Sequence, residues 1–387
     1  WGATARRAAF TRLQVAASTQ HVNSPAGCIR EPPTWCFRHT DAPMTHRLTH
    51  IDATKTVASH LIVLHHFTAY GPLALALDRE APELTDWFFD YARMAVQVFL
   101  VIGGYFAASS LAPHGYFQRK NPWRSVVQRY VRLVPPFSAA LVLTIFCSVW
   151  ARQWLQDDFI PLAPSWSQMA AHLTLLFGVL EIEPMSAGIW YVAIDFQLFA
   201  MMAIVLWWSR RQALLLVAPL MLASLFFFNS EAGNDNWAPY FFGAYAMGAF
   251  AWWAGHSPHR TRKLVMLATV GIAALVWEFR LRIALALMVA LWLGYARSQM
   301  TRQKVTSKPL HSALIRLIRR SGRSSYALFL THFSVLMLAN VVWASMPWTF
   351  DGAALVFTVC AWLACIALAL LFERWVERPL SALGRRS

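Results

Sequence analysis

Long apolar runs recur along the chain, separated by short polar stretches. A helix rises about 1.5 Å per residue, so roughly 20 apolar residues cross a bilayer's hydrocarbon core. On that measure the pattern predicts spans near 52–75, 88–111, 135–154, 188–208, 212–229, 237–255, 264–279, 281–297, 323–346 and 352–373. Helices are expected because they satisfy their own backbone in lipid. The fold class expected is therefore all-α, a polytopic integral membrane bundle of about ten transmembrane helices. Segment 166–182 is apolar but short and ends in Glu181 and Glu183. Placing it at the interface puts every strongly basic loop on one side, the cytoplasmic one under the positive-inside rule. Both termini then lie inside.

The first run departs from the rest by carrying ionisable groups: Asp52, Lys55, His60, His65 and His66. Such groups in a membrane helix face a protein interior or a water-filled cavity. At about 100° per residue, Lys55 and His66 fall within about 20° of one face, and Asp52 and Ser59 join that stripe. His60 and His65 point elsewhere and read as packing residues. Pro135-Pro136 is expected to open the third span, and Gly103-Gly104 to mark a close helix contact.

Composition supports this picture. Hydrophobic residues make up 57% of the 387 and charged ones 14%, against about 25% in a soluble protein. Mean hydropathy is +0.42. The net charge of +15 sits in loops between apolar runs, around Arg119, Lys120, Arg124, Arg210, Arg260 and Lys304, which argues against nucleic-acid binding. Residues 1–43 lack a sustained apolar run and read as a disordered or extraneous tail. Residues 44–380 read as one membrane domain, and 381–387 as a basic cytoplasmic tail. The five cysteines lack metal-ligand spacing, and no metal is expected.

Four constellations carry candidate chemistry. His66 suits a general base near neutral pH, with Lys55 or Asp52 orienting it or anchoring substrate. Arg129 and Arg132, three apart, share a helix face and can hold phosphate bidentately, or serve as inner-face anchors. Asp195 and Gln197 bring polar groups into an apolar run, for substrate or for an internal salt bridge. His332 alone reads as a hydrogen-bonded core histidine. No phosphate-cradling glycine loop, nucleophile elbow or His-Glu-x-x-His is present, which argues against an ATP-driven pump and a zinc protease.

In this order the motifs resemble acyltransferase family 3, bacterial membrane proteins that O-acylate carbohydrates. Asp52 through His66 looks like its Leu-Asp-Gly-Leu-Arg…His pattern, with Lys55 in the arginine place. Val96 through Tyr105 resembles its Val-Asp-Phe-Phe-Phe-Val-Leu-Ser-Gly-Phe, with Gln97 in the acidic place. Arg129-Tyr-Val-Arg132-Leu-Val-Pro135 is similar to Arg-x-x-Arg-Leu-x-Pro. Trp190 through Gln197 resembles Trp-Ser-Leu-Ser-Val-Glu-Glu-Gln-Phe, with Asp195 for the first Glu. Tyr326 through His332 resembles Tyr-x-x-Tyr-Leu-x-His, and Glu377-Arg378-Pro379 resembles Glu-x-Pro. The resemblance implies acyl-CoA as a donor substrate, no cofactor, and a cell-surface or exported glycan as acceptor. It also implies a catalytic His66, Arg129 and Arg132 on the donor, and residence in the bacterial inner (plasma) membrane. The expected catalytic set is His66, Lys55 and Asp195. The expected substrate-binding set is Arg129, Arg132, Asp52, Gln197 and His332. A glycan or lipid-linked sugar exporter without transfer chemistry is the alternative, since buried charge along a bundle suits it too.

Overall fold

The computed structural model describes residues 49–118, 121–209, 214–300 and 309–383. The 1–43 tail lies outside them, as do Arg119, Lys120, Arg210, Lys304, Arg385 and Arg386. All regular structure among the described residues is helical. Helices α1 (Thr49–Ala69) and α2 (Gly71–Glu80) are followed by α3 (Pro82–Tyr91), a short 3₁₀ turn and α4 (Val96–Leu111). Next come α5 (Pro122–Ala151), α6 (Trp166–Leu173), α7 (Trp190–Ser209) and α8 (Leu214–Ala223), the last extended by a π-helical turn to Phe228. The chain closes with α9 (Ala238–Gly255), α10 (Arg260–Trp277), α11 (Leu281–Met300), α12 (Pro309–Ser345), α13 (Ala353–Phe372), a second π-turn and α14 (Arg378–Leu383).

Among the described residues, five helical stretches are long and apolar enough to cross a membrane, and a bent pair makes a sixth. The chain is a helical membrane protein. The expected ten also counts α8 and α11, which are shorter apolar helices, α9, which is not among these stretches, and α10, whose first turn carries Arg260, Arg262 and Lys263. In 166–182 the only helix is the eight-residue α6, too short to cross.

Three boundaries differ from the sequence expectation. The 52–75 helix breaks at Tyr70, where α1 and α2 meet at 92°. Gly71 adopts φ +80°, which favours glycine, and Pro72 follows it in the first turn of α2. Asn340 secures the break: Leu73 N–H donates to its Oδ1 at 2.9 Å, and its Nδ2 donates to Tyr70 O at 3.4 Å. Second, Pro135-Pro136 lies inside α5 rather than opening it. The start is Asn121, whose side chain accepts from Trp123 N–H, with Pro122 in the first turn. Arg129 and Arg132 are therefore helical. Third, α12 begins at Pro309, well before 323.

The bundle closes through tight helix contacts. A Cβ on Gly104 would stand 1.7 Å from Tyr245 O, and one on Gly248 would stand 1.9 Å from Val101 O. Helices α4 and α9 thus touch backbone to backbone, as Gly103-Gly104 predicted. At the tight link before α11, Arg280 donates to Leu225 O at 2.7 Å and to Asn229 Oδ1 at 3.1 Å. Arg282 donates to Asn229 O at 2.8 Å. These two arginines cap the carbonyl end of the α8 segment, which accounts for the charge at that link.

Candidate active site

The polar stripe on α1 faces the protein. Asp52, Ser59 and His66 are buried, and Lys55 is half-buried. Asp52 packs on α12 at Gly322, where an added Cβ would meet Asp52 Cβ at 2.6 Å. One level up, His66 Nδ1 lies 2.7 Å from His332 Nε2, with the rings nearly parallel. His332 Nδ1 in turn lies 3.0 Å from Leu328 O. A carbonyl only accepts, so His332 Nδ1 carries the hydrogen. With both rings neutral, His332 Nε2 accepts the His66 Nδ1–H, and the lone pair of His66 rests on Nε2. The pair is thus set in the tautomer of an oriented base.

His60 and His65 are engaged elsewhere, as packing residues would be. Trp362 Nε1–H donates to His60 Nδ1 at 3.1 Å, and His65 Nδ1 lies 3.3 Å from Phe88 O.

Arg129 and Asp195 form an ion pair between α5 and α7. Arg129 Cζ also lies 5.1 Å from the centre of the Phe199 ring. The absence of a side chain at Gly103 admits Asp195 and Tyr245 together: a Cβ there would fall 2.9 Å from both. The Tyr245 hydroxyl and Arg129 Nε are buried and hydrogen-bond to none of the described residues. Tyr245 did not stand out in the sequence. The signal available was a phenol set among Gly243, Ala244, Ala246 and Gly248 in an apolar helix.

Lys55 and Arg132 gather elsewhere on the same level, both within electrostatic reach of Glu377. Tyr326 lies beside them and donates to Leu133 O at 3.3 Å. Gln197 is separate from Asp195. Its Nε2 donates to Leu175 O at 2.9 Å, and it lines a cavity of about 280 Å³ with Trp190, Phe241 and Asp235. Two residues along a helix turn the side chain by about 200°, so Asp195 and Gln197 face opposite ways. The structure therefore brings together His66 with His332, Arg129 with Asp195, and Lys55 with Arg132. It leaves Gln197 apart.

A family model described as an acyltransferase domain matches residues 48–374, nearly all of the membrane domain. No curated protein and no solved structure matches the chain.

Proposed function

The chain belongs to that acyltransferase family and is an acyltransferase, and we propose that it moves an acyl group from cytoplasmic acyl-CoA to a hydroxyl of a cell-surface or exported carbohydrate. The observation that carries this reading is the His66–His332–Leu328 hydrogen-bond chain, which leaves His66 Nε2 as the free basic nitrogen. His66 removes the proton of the acceptor hydroxyl as its oxygen attacks the thioester carbonyl. The thiolate of CoA leaves, and the proton on His66 is available to it. His332 receives the His66 Nδ1–H throughout and shares the charge that develops on the ring. Arg129, Arg132 and Lys55 hold the phosphates of the donor at the basic end. Asp195 fixes the Arg129 guanidinium, and the unpartnered Arg129 Nε and Tyr245 hydroxyl supply donors for phosphate oxygens of the acyl donor. Asp52 supports the α1–α12 contact beside this layer.

The acceptor reaches His66 from the opposite end, through a cleft of about 370 Å³ beside Thr68, Asp78, Asp86 and Asp157. On this reading the chain crosses ten times, with both termini cytoplasmic, in the inner membrane of a bacterium. Membranes containing the chain are expected to transfer labelled acyl groups from acyl-CoA to glycan, and His66→Ala to abolish transfer while keeping expression. Full transfer by a well-expressed His66→Ala protein would refute the assignment. Glycan appearing outside unmodified, with no label transferred, would point to the exporter.

A further inference from the structure

Helices α1, α12 and α13 enclose a cleft that the acyl-transfer reading does not use. Its upper part is a narrow cavity of about 120 Å³ walled by Leu317, Leu328, Ile366 and Leu370, with His60 at its side. Its lower part is an open basin of about 430 Å³ lined by Arg320, Arg323, Arg374 and Arg378. Arg320 and Leu370 line both, so the apolar slot and the basic basin adjoin. One carboxylate, Glu373, lines the basin, and it is occupied by Arg378 Nε at 2.6 Å. The basin therefore holds three positive charges in excess.

The surroundings place the cleft at a membrane interface. Trp375 is 67% exposed, Leu371 56% and Leu317 62%, and Arg374 lies over the Trp375 ring at 5.3 Å. An exposed tryptophan beside arginines at the end of an apolar helix is the pattern of a headgroup-level anchor. Basic pockets between membrane helices recognise anionic headgroups. His60 adds a donor at depth. Since Trp362 Nε1–H occupies its Nδ1, the neutral ring carries its hydrogen on Nε2, ready for an ester carbonyl.

We propose that this cleft is a binding site for an anionic phospholipid. The phosphate lies on the four guanidinium groups, and one acyl chain enters the apolar slot. A free phosphate or a CoA phosphate would use the basin alone and leave the slot and His60 without a role, which is why a lipid is the occupant named.

The test uses the full chain, delipidated in detergent and titrated with phosphatidylglycerol, phosphatidylcholine, inorganic phosphate or CoA, with bound lipid counted by native mass spectrometry. Phosphatidylglycerol is expected to bind in preference to phosphatidylcholine and to resist displacement by phosphate and CoA. An arginine near an anionic headgroup strengthens binding about fivefold. The pair Arg320→Gln with Arg374→Gln is therefore expected to weaken binding about 30-fold, and the corresponding lysine pair to retain it. Equal binding of phosphatidylcholine, unchanged binding by the folded glutamine pair, or displacement by CoA or inorganic phosphate would each overturn the proposal. The competition series on the unsubstituted chain decides the matter if the glutamine pair does not fold.

Discussion

His332→Leu removes the nitrogen that receives the His66 Nδ1–H and replaces the ring with an apolar group of comparable bulk. Two costs follow. Before reaction, the Nδ1–H at the 2.7 Å contact is left buried without an acceptor, which costs about 1–3 kcal/mol. That cost favours the other tautomer, in which Nε2 carries the hydrogen and no longer acts as a base. During reaction, the missing bond is one to a ring gaining positive charge, worth about 1.5–3 kcal/mol. At about 1.4 kcal/mol per decade, kcat should fall about 10- to 150-fold. His66→Ala removes the base itself and should cost about 10²–10⁴. Both residues act through one atom, His66 Nε2, so the double variant should be no slower than His66→Ala alone. The assay is initial-rate transfer of labelled acyl groups in reconstituted membranes, with thermal unfolding to confirm folding. A folded His332→Leu protein within about twofold of native kcat, or a double variant whose loss equals the product of the single losses, would refute the relay.

Two further outcomes are expected. Asp195→Asn should lower the unfolding temperature by stranding Arg129, and adding Arg129→Gln should restore much of the loss. The quarter-exposed Arg129 side chain holds the effect below the about 3–5 kcal/mol of a fully buried pair. The fold around α6 should loosen in acid. His172 is buried, with Nδ1 bonded to Gln168 O and Nε2 accepting from Met185 N–H, and burial holds its pKa below the ordinary histidine value of 6.5. The folded state then binds fewer protons than the unfolded one, so stability is complete above about pH 6.5 and falls as pH drops beneath it. Protection of residues 168–186 against hydrogen exchange should fall as pH drops below about 6.5, and His172→Gln should flatten that fall.

The face of α1 was legible because a helix repeats every 3.6 residues. Asp52, Ser59 and His66 share a stripe in the sequence and are buried in the structure. What the stripe meets was not legible. His332 stands 266 positions from His66, and periodicity carries no information about the facing helix. Arg129 was marked as a phosphate holder or inner-face anchor and Asp195 as a charge in an apolar run, yet only the α5–α7 contact makes them partners. Two misplaced boundaries have causes that lie outside the local sequence. Pro135-Pro136 reads as a helix start because proline lacks a donor and clashes with the preceding turn. Inside a bundle, packing of the surrounding turns holds α5 together across it. The bend at Tyr70 depends on Asn340, a side chain far along the chain that bonds both sides of the break.

The levels of the bundle constrain the donor. Tyr326 meets Leu133, and farther along Ser334 meets Thr144, so α5 and α12 run parallel. Lys55 and Arg132 share the level of Glu377 and Tyr326, whereas His66 and His332 lie higher. Eleven residues separate Lys55 from His66, about 16 Å along the helix. A donor whose phosphates rest on the lower level must therefore present its acyl carbon far from those phosphates. The proposed acyl-CoA does so through the long arm between its phosphates and its thioester. Acetyl phosphate has the same leaving-group charge, but one oxygen separates its acyl carbon from phosphorus. Held at Arg129 and Arg132 it cannot reach His66. The expectation is transfer from acetyl-CoA and none from acetyl phosphate at matched saturation, measured as label on the glycan. Comparable rates from the two donors would place the acyl chemistry at the arginine level and remove His66 from it.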